Sequence, residues 1–305
     1  MRLPQRPHLP AGRPGAFHCA LWRVAAPAPA RGHAEARNIL WLLHLLLACL
    51  YGVVARAAPP QAQQAALASG SALVFTAQMY GLQLDQLAVL LARLARPADP
   101  ARRARALVTR WRSEGLADSA VLGPGPAWVW VTRAGLRACG LRYAAAPPAL
   151  ARLAHIRAVT AVRLALEAVP GYRAGAAYWR AERQMRARLR IGAPDHLPDA
   201  EVHWPDGSDA DFAGECWAIE AELTPKTIAR TATIMRGLLA RTGDYGCPAA
   251  DASVPGLPPR YDRAVYLCSP AATGTVLRAR AAMGGLGDRV EIRVLPAGAA
   301  LGSGP

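Results

Sequence analysis

Lysine is almost missing from this sequence. Of 36 basic residues only Lys226 is a lysine, and the other 35 are arginines. Such a bias is what a GC-rich coding sequence produces, so no single arginine says much about function. Cysteine pairing is missing too. The six cysteines (19, 49, 139, 216, 247 and 268) show no CxxC and no metal-ligand spacing. That excludes a zinc finger and a disulfide framework, and reads as free thiols in a reducing, cytoplasmic setting. Acids are scarce in the front half. Between Arg93 and Arg142 ten arginines face three acids, Asp99, Glu114 and Asp118. From His196 onward the balance reverses, with thirteen acids against ten bases. A front of this kind suits a polyanion, and the back suits something cationic.

Long apolar runs are also missing, with one exception. Ile39 to Ala55 is uncharged over seventeen residues, at the lower edge of a membrane span. It is preceded by Arg31 and Arg37 and followed by Arg56. Three readings stay open: a short membrane anchor, a buried helix, or translated leader ahead of a start at Val53 or Val54. The anchor reading makes the protein membrane-attached with soluble domains. Residues 1–70 otherwise read as a disordered basic leader and a Pro, Gln and Ala linker.

From residue 71 to about 145 the pattern predicts a winged helix-turn-helix. A first helix covers Ala72 to Tyr80. A second runs from Leu84 to Leu94, with Leu84, Leu87, Leu90, Leu91 and Leu94 on its inner stripe. Asp99 then caps a third helix, with Pro100 at its first position. Its inner side is Ala104, Leu107, Val108 and Trp111. Its outer side carries Arg102, Arg103, Arg105, Arg110 and Arg112. A strand from Gly115, the turn Gly123-Pro124-Gly125-Pro126, a strand over Ala127 to Val131 and a short last helix complete the unit. The basic third helix is expected in the major groove of duplex DNA.

Residues 149–296 predict a second domain, a small mixed α/β sheet flanked by helices, with 297–305 a tail. A helix over Ala149 to Val169 carries His155, read as structural because no partner lies near it in sequence. Tyr178 to Leu189 is expected to be helical. Trp217 to Leu223 alternates and reads as a half-buried strand, with Ile219, Ala221 and Leu223 inward. Glu220 and Glu222 then share the open face, about 6.6 Å apart. Between Asp199 and Glu222 there are eight acids and no Arg or Lys. Two readings remain, a Mg²⁺ site for phosphodiester chemistry or a hairpin of solvated acids.

The chain from about Ala72 to Leu295 resembles the replication-relaxation family of plasmids and integrative elements. The resemblance rests on "LDQLAVLLARL", "GPAWVWVTRAGL", "LAHIRAVTAVRLALE", "YWRAERQMR", "LPDAEVHW", "WAIEAELTPKT" and "YDRAVYLC", in that order. It implies a winged-helix DNA-binding protein of mobile DNA, with replication or transfer proteins of the element as partners. The back half also resembles the PD-(D/E)xK nuclease superfamily, which has a restriction-endonuclease-like fold. That resemblance implies catalytic roles for Glu182, Asp199 and Glu220, with Mg²⁺ on Asp199 and Glu220. The family's lysine position holds Glu222, and Lys226 lies four residues on. The departure leaves two alternatives. One is a Mg²⁺-dependent DNA endonuclease in which Lys226 or Glu222 handles charge and proton. The other is a degenerate, non-catalytic domain that binds a protein partner.

Overall fold

In the computed structural model, the described residues are 60–174, 177–187, 196–206, 212–242, 260–296 and 298–299. The apolar run Ile39 to Ala55 lies outside them. Among the described residues no helix is long and apolar enough to cross a membrane. Residues Pro60–Pro305 form one compact unit.

The first helix, α1, spans Pro60–Gln78 and is longer than the sequence pattern predicts. The supposed linker is rich in Ala and Gln, which are good helix formers. It is also tied down: Ala68 and Ala72 are buried, and Ser69 Oγ accepts from Trp111 Nε1 at 3.2 Å. Then come β1 (Leu82–Gln83), α2 (Leu84–Leu94), α3 (Pro100–Ser113), β2 (Ala117–Ala120), β3 (Trp128–Val131) and α4 (Arg133–Ala138). The three strands form a sheet in the order β1-β3-β2, antiparallel throughout. On α3, Asp99 accepts from Arg102 N at 2.9 Å and Pro100 opens the helix. Ala104, Leu107, Val108 and Trp111 are its buried side, as the helical period requires.

After a 3₁₀ turn, α5 (Leu153–Leu166) is buried almost all round. The short α6 (Pro170–Ala174) leads to β4 (Tyr178–Ala181), α7 (Glu182–Arg186), β5 (Ala200–His203), β6 (Cys216–Glu222), α8 (Ile228–Leu239), β7 (Arg263–Cys268), α9 (Pro270–Ala281) and β8 (Val290–Val294). The five strands stand in the order β4-β5-β6-β7-β8. The first three are antiparallel neighbours, and β6, β7 and β8 run parallel. The class is therefore mixed α and β.

Two further elements differ from the sequence pattern. Tyr178 to Ala181 is a strand rather than the start of a helix. Its aromatic pair favours a pleated surface, and pairing with β5 decides the matter. Trp179 and Ala181 turn inward. Secondly, β6 is buried on both faces rather than one. Trp217, Ile219 and Ala221 pack in the same core as Ala158, Val159 and Val162 of α5. Ala218, on the other face with Glu220 and Glu222, belongs to a cluster with Leu238 of α8. A central strand with helices on both sides has no open face.

One core runs through both parts. Leu87, Leu90 and Leu91 of α2 belong to the same cluster as Val202 of β5 and Ile219 of β6. Arg157 of α5 reinforces the junction, reaching Asp85 at 2.7 and 3.0 Å and also bonding Gln83. The three-stranded unit is thus fixed on the sheet by packing and by a partly buried, bidentate ion pair.

Candidate functional site

The exposed side of α3 divides into two halves. Arg110 Nε bonds Glu114 Oε1 at 2.7 Å, and Arg112 lies 3.5 Å from Asp118. Arg102 and Arg105 are exposed and Arg103 is half-exposed. None of these three has an ion-pair partner among the described residues. The five arginines expected on one face are all there, and three of them, in the first two turns, keep their charge uncommitted. At the protein surface an uncommitted guanidinium is what a phosphate oxygen would meet.

The expected carboxylates lie around the ends of β5 and β6. Asp199 stands one step beyond the Ala200–Ile219 pair, which places it opposite Glu220. Its Oδ2 accepts from Ala221 N at 2.8 Å. Its Oδ1 lies 2.7 Å from His155 Nε2. Glu220, 5 % exposed, lies 2.8 Å from His196 Nε2. Glu222 is ion-paired with Lys226, the only lysine. Glu182 opens α7 and receives Arg152 at 2.9 Å, with Arg186 on its other oxygen. Tyr80 carries the Arg152 and Arg183 guanidinium groups near its ring, at 5.2 and 4.9 Å. It holds a left-handed φ of 65° where the chain turns into β1. With Arg152, His155, Glu182 and Asp199 it lines a cleft.

The electrostatics follow from these partners. Burial pushes the Glu220 carboxyl up to about 7, and the Asp199 charge adds to this against the opposing pull of His196. Burial also opposes the charge on His155, but Asp199 outweighs it and the imidazole titrates above its usual range. His196 behaves likewise: burial lowers it, and the bond and charge of Glu220 raise it further. Burial works against ionised Glu182 too, yet Arg186 and Arg152 hold it below the usual carboxylate range.

These findings correct several expectations. Of the eight acids, Glu201, Glu215 and Glu222 hold Arg or Lys partners from outside the segment, and Asp199 and Glu220 hold His155 and His196, whereas Asp209 and Asp211 lie outside the described residues. His155 is not a lone core histidine but the partner of Asp199. Glu220 and Glu222 do not face solvent. Glu182 does not join Asp199 and Glu220 in one ligand set. Among the described residues, only Glu201, His203 and Cys216 place three ligand-type atoms within 4.8 Å of one another.

Sequence reasoning missed Glu201. It is fully buried on β5, opposite Arg180 and Ala218. Arg260 approaches it at 2.6 to 2.8 Å, Tyr261 Oη at 2.7 Å, His203 at 2.9 Å and Arg180 at 3.1 Å. Burial would raise the Glu201 pKa, but the His203 bond, Arg260 and Tyr261 hold it down at about 2. With half-buried His203 and Cys216 it forms a cluster that could hold a metal ion. Its sulfur and imidazole donors suit a softer ion than Mg²⁺. The Cys216 thiol is pushed up to about 12 by burial and the Glu201 charge, so it is a thiol rather than a thiolate at neutral pH.

Mg²⁺ takes six oxygens in near-octahedral order, usually several waters with one or two carboxylates. The carboxylates of Asp199, Glu220 and Glu222 each already hold a cationic or imidazole partner, and among the described residues no three of Glu182, Asp199, Glu220 and Glu222 bring ligand atoms within 4.8 Å of one another. Nothing in this arrangement identifies Mg²⁺ specifically. Compared with protein-family models, with curated proteins and with solved structures, the chain matches none.

Proposed function

We propose that this is a duplex-DNA-binding protein of a plasmid or other mobile element, acting in its replication, relaxation or transfer. In this reading the α3 helix of the winged-helix unit meets the DNA. The nuclease-like sheet is a non-catalytic scaffold and offers a surface to a replication or transfer protein. The observation that carries it is the exposed, uncommitted charge of Arg102, Arg103 and Arg105 on a helix whose other side is locked into the core. The resemblance to the replication-relaxation family supports the setting. The internal pairing of every expected catalytic acid supports the scaffold.

The endonuclease reading keeps one observation in its favour. Asp199, Glu220, Glu222 and Lys226 do gather at one end of β6, in the order that chemistry would use. Against it stand the partners each of them already has.

The test is equilibrium binding of a labelled duplex over a range of salt. Each phosphate contact contributes about 0.9 to the slope of log K against log salt. Replacing Arg102, Arg103 and Arg105 together by Ala should lower the slope by about 2 to 3 and the affinity by about tenfold or more. Equal slopes for the variant and the wild type would remove α3 as the DNA reader.

A further inference from the structure

The wing of this winged helix has no charge to offer. The turn from Val121 to Ala127 contains no Arg, Lys, Asp or Glu. It is also held back against its own sheet. Gln83 Nε2 donates to the carbonyls of Pro124 at 3.1 Å and Pro126 at 2.9 Å. A neutral turn clamped by a buried amide cannot supply the charged backbone contacts that fix a protein on a duplex. Nor does the far half of α3 supply them freely, because Arg110 and Arg112 are shared with Glu114 and Asp118.

A second basic element sits at that same end. Leu116 N bonds Trp111 O at 2.7 Å, which turns the chain out of α3. Thr132, the cap of α4, then grips this turn: its hydroxyl donates to Gly115 O at 2.6 Å and accepts from Gly135 N at 3.1 Å. Gly135 lies so close that a Cβ would come within 2.0 Å of the Leu116 carbonyl oxygen. Helix α4 is therefore locked to the residues that leave α3. Arg133 and Arg137, four apart, share one side of α4. Both are exposed, and neither has an ion-pair partner among the described residues. Like charges one turn apart repel, and a phosphate between them would relieve this.

We propose that α4 is a second phosphate-contacting element of the DNA surface. The duplex would be held from Arg102, Arg103 and Arg105 at one end of α3 to Arg133 and Arg137 at the other, with no charged contact from the wing. A helix of this length is about 21 Å long, enough to cross the major groove and bring its two ends to different backbones. The inference rests on the DNA-binding reading above, and its occupant is set by charge complementarity.

The test uses the full chain and a labelled mixed-sequence duplex. Arg133→Ala with Arg137→Ala should lower the salt slope by about 1.8, two contacts at about 0.9 each. Both sites are exposed and Ala suits a helix, so the melting temperature serves as the control for folding. The Arg133→Lys, Arg137→Lys variant should restore most of the slope. A wild-type slope in the Ala pair, while the α3 triple variant loses its own, overturns the α4 proposal and leaves the DNA reading standing. If neither variant moves the slope, both fall.

Discussion

Replacing Glu201 by Ala should destabilise the protein by about 3–5 kcal/mol, the usual cost of removing one partner from a buried ion pair. The side chain is fully buried and holds Arg260, Arg180, Tyr261 and His203 at once. Its removal takes from the Arg260 guanidinium, whose side chain is only 8 % exposed, the carboxylate it pairs with, and from the Tyr261 hydroxyl the oxygen it donates to. It also unlinks β4, β5 and the lead into β7, since Arg180 and Arg260 come from opposite sides of it. Glu201→Gln should cost less, because the amide oxygen still accepts from Tyr261, but it loses the charge that both arginines need. Urea unfolding of wild type and both variants at neutral pH measures this. A loss below about 1 kcal/mol for the Ala variant would mean that the arginines find other partners on the surface.

Glu220 should behave in the opposite sense. Its pKa in the folded protein is raised to about 7, chiefly by burial, from an ordinary value of 4.5. A group with a raised pKa contributes stability that is fully present below the unfolded value. That contribution is lost as pH rises through the folded value. Between about pH 5 and about pH 8 the wild type should therefore lose on the order of 1–3 kcal/mol. His155 and His196, both raised, add losses of the same sign. Glu220→Gln keeps an acceptor for His196 but has no proton to lose. It should flatten the profile and be the more stable protein at about pH 8. Glu201 works the other way: its pKa is held at about 2, so its contribution is lost only as pH falls towards that value. Denaturant unfolding across this range decides it. A wild-type profile that rises with pH, or a variant as steep as the wild type, would contradict the burial account of Glu220.

What the sequence discloses and what it hides divide along physical lines. Helix α3 is legible because its signals are local: Asp99-Pro100 starts it, and Ala104, Leu107, Val108 and Trp111 repeat at the helical period. Strand β6 is legible for the same reason, because Trp217 to Leu223 alternates. Strand β4 is not, because Trp179 and Glu182 also fit a helical face, and only the partner strand β5 settles which hydrogen bonds form. The charge pattern is the least legible part. Asp199 finds His155 at a separation of 44 residues, and Glu201 finds Arg260 at 59. No count of acids within a segment can anticipate partners that far off. His196, three residues before Asp199, was near enough to notice, and the DHLPD stretch was the one local hint that imidazole enters this cluster.

In the proposed reading the carboxylates of Glu182, Asp199, Glu220 and Glu222 are satisfied within the protein, and the molecule binds DNA without a Mg²⁺ centre to cut it. Isothermal titration calorimetry of the full chain with Mg²⁺ tests this most directly. Mg²⁺ is a hard ion and avoids the sulfur and imidazole donors of His203 and Cys216. The account predicts no saturable heat at millimolar Mg²⁺. Saturable binding in the wild type that disappears in Glu220→Ala and in Asp199→Asn would contradict it, and would restore the endonuclease reading.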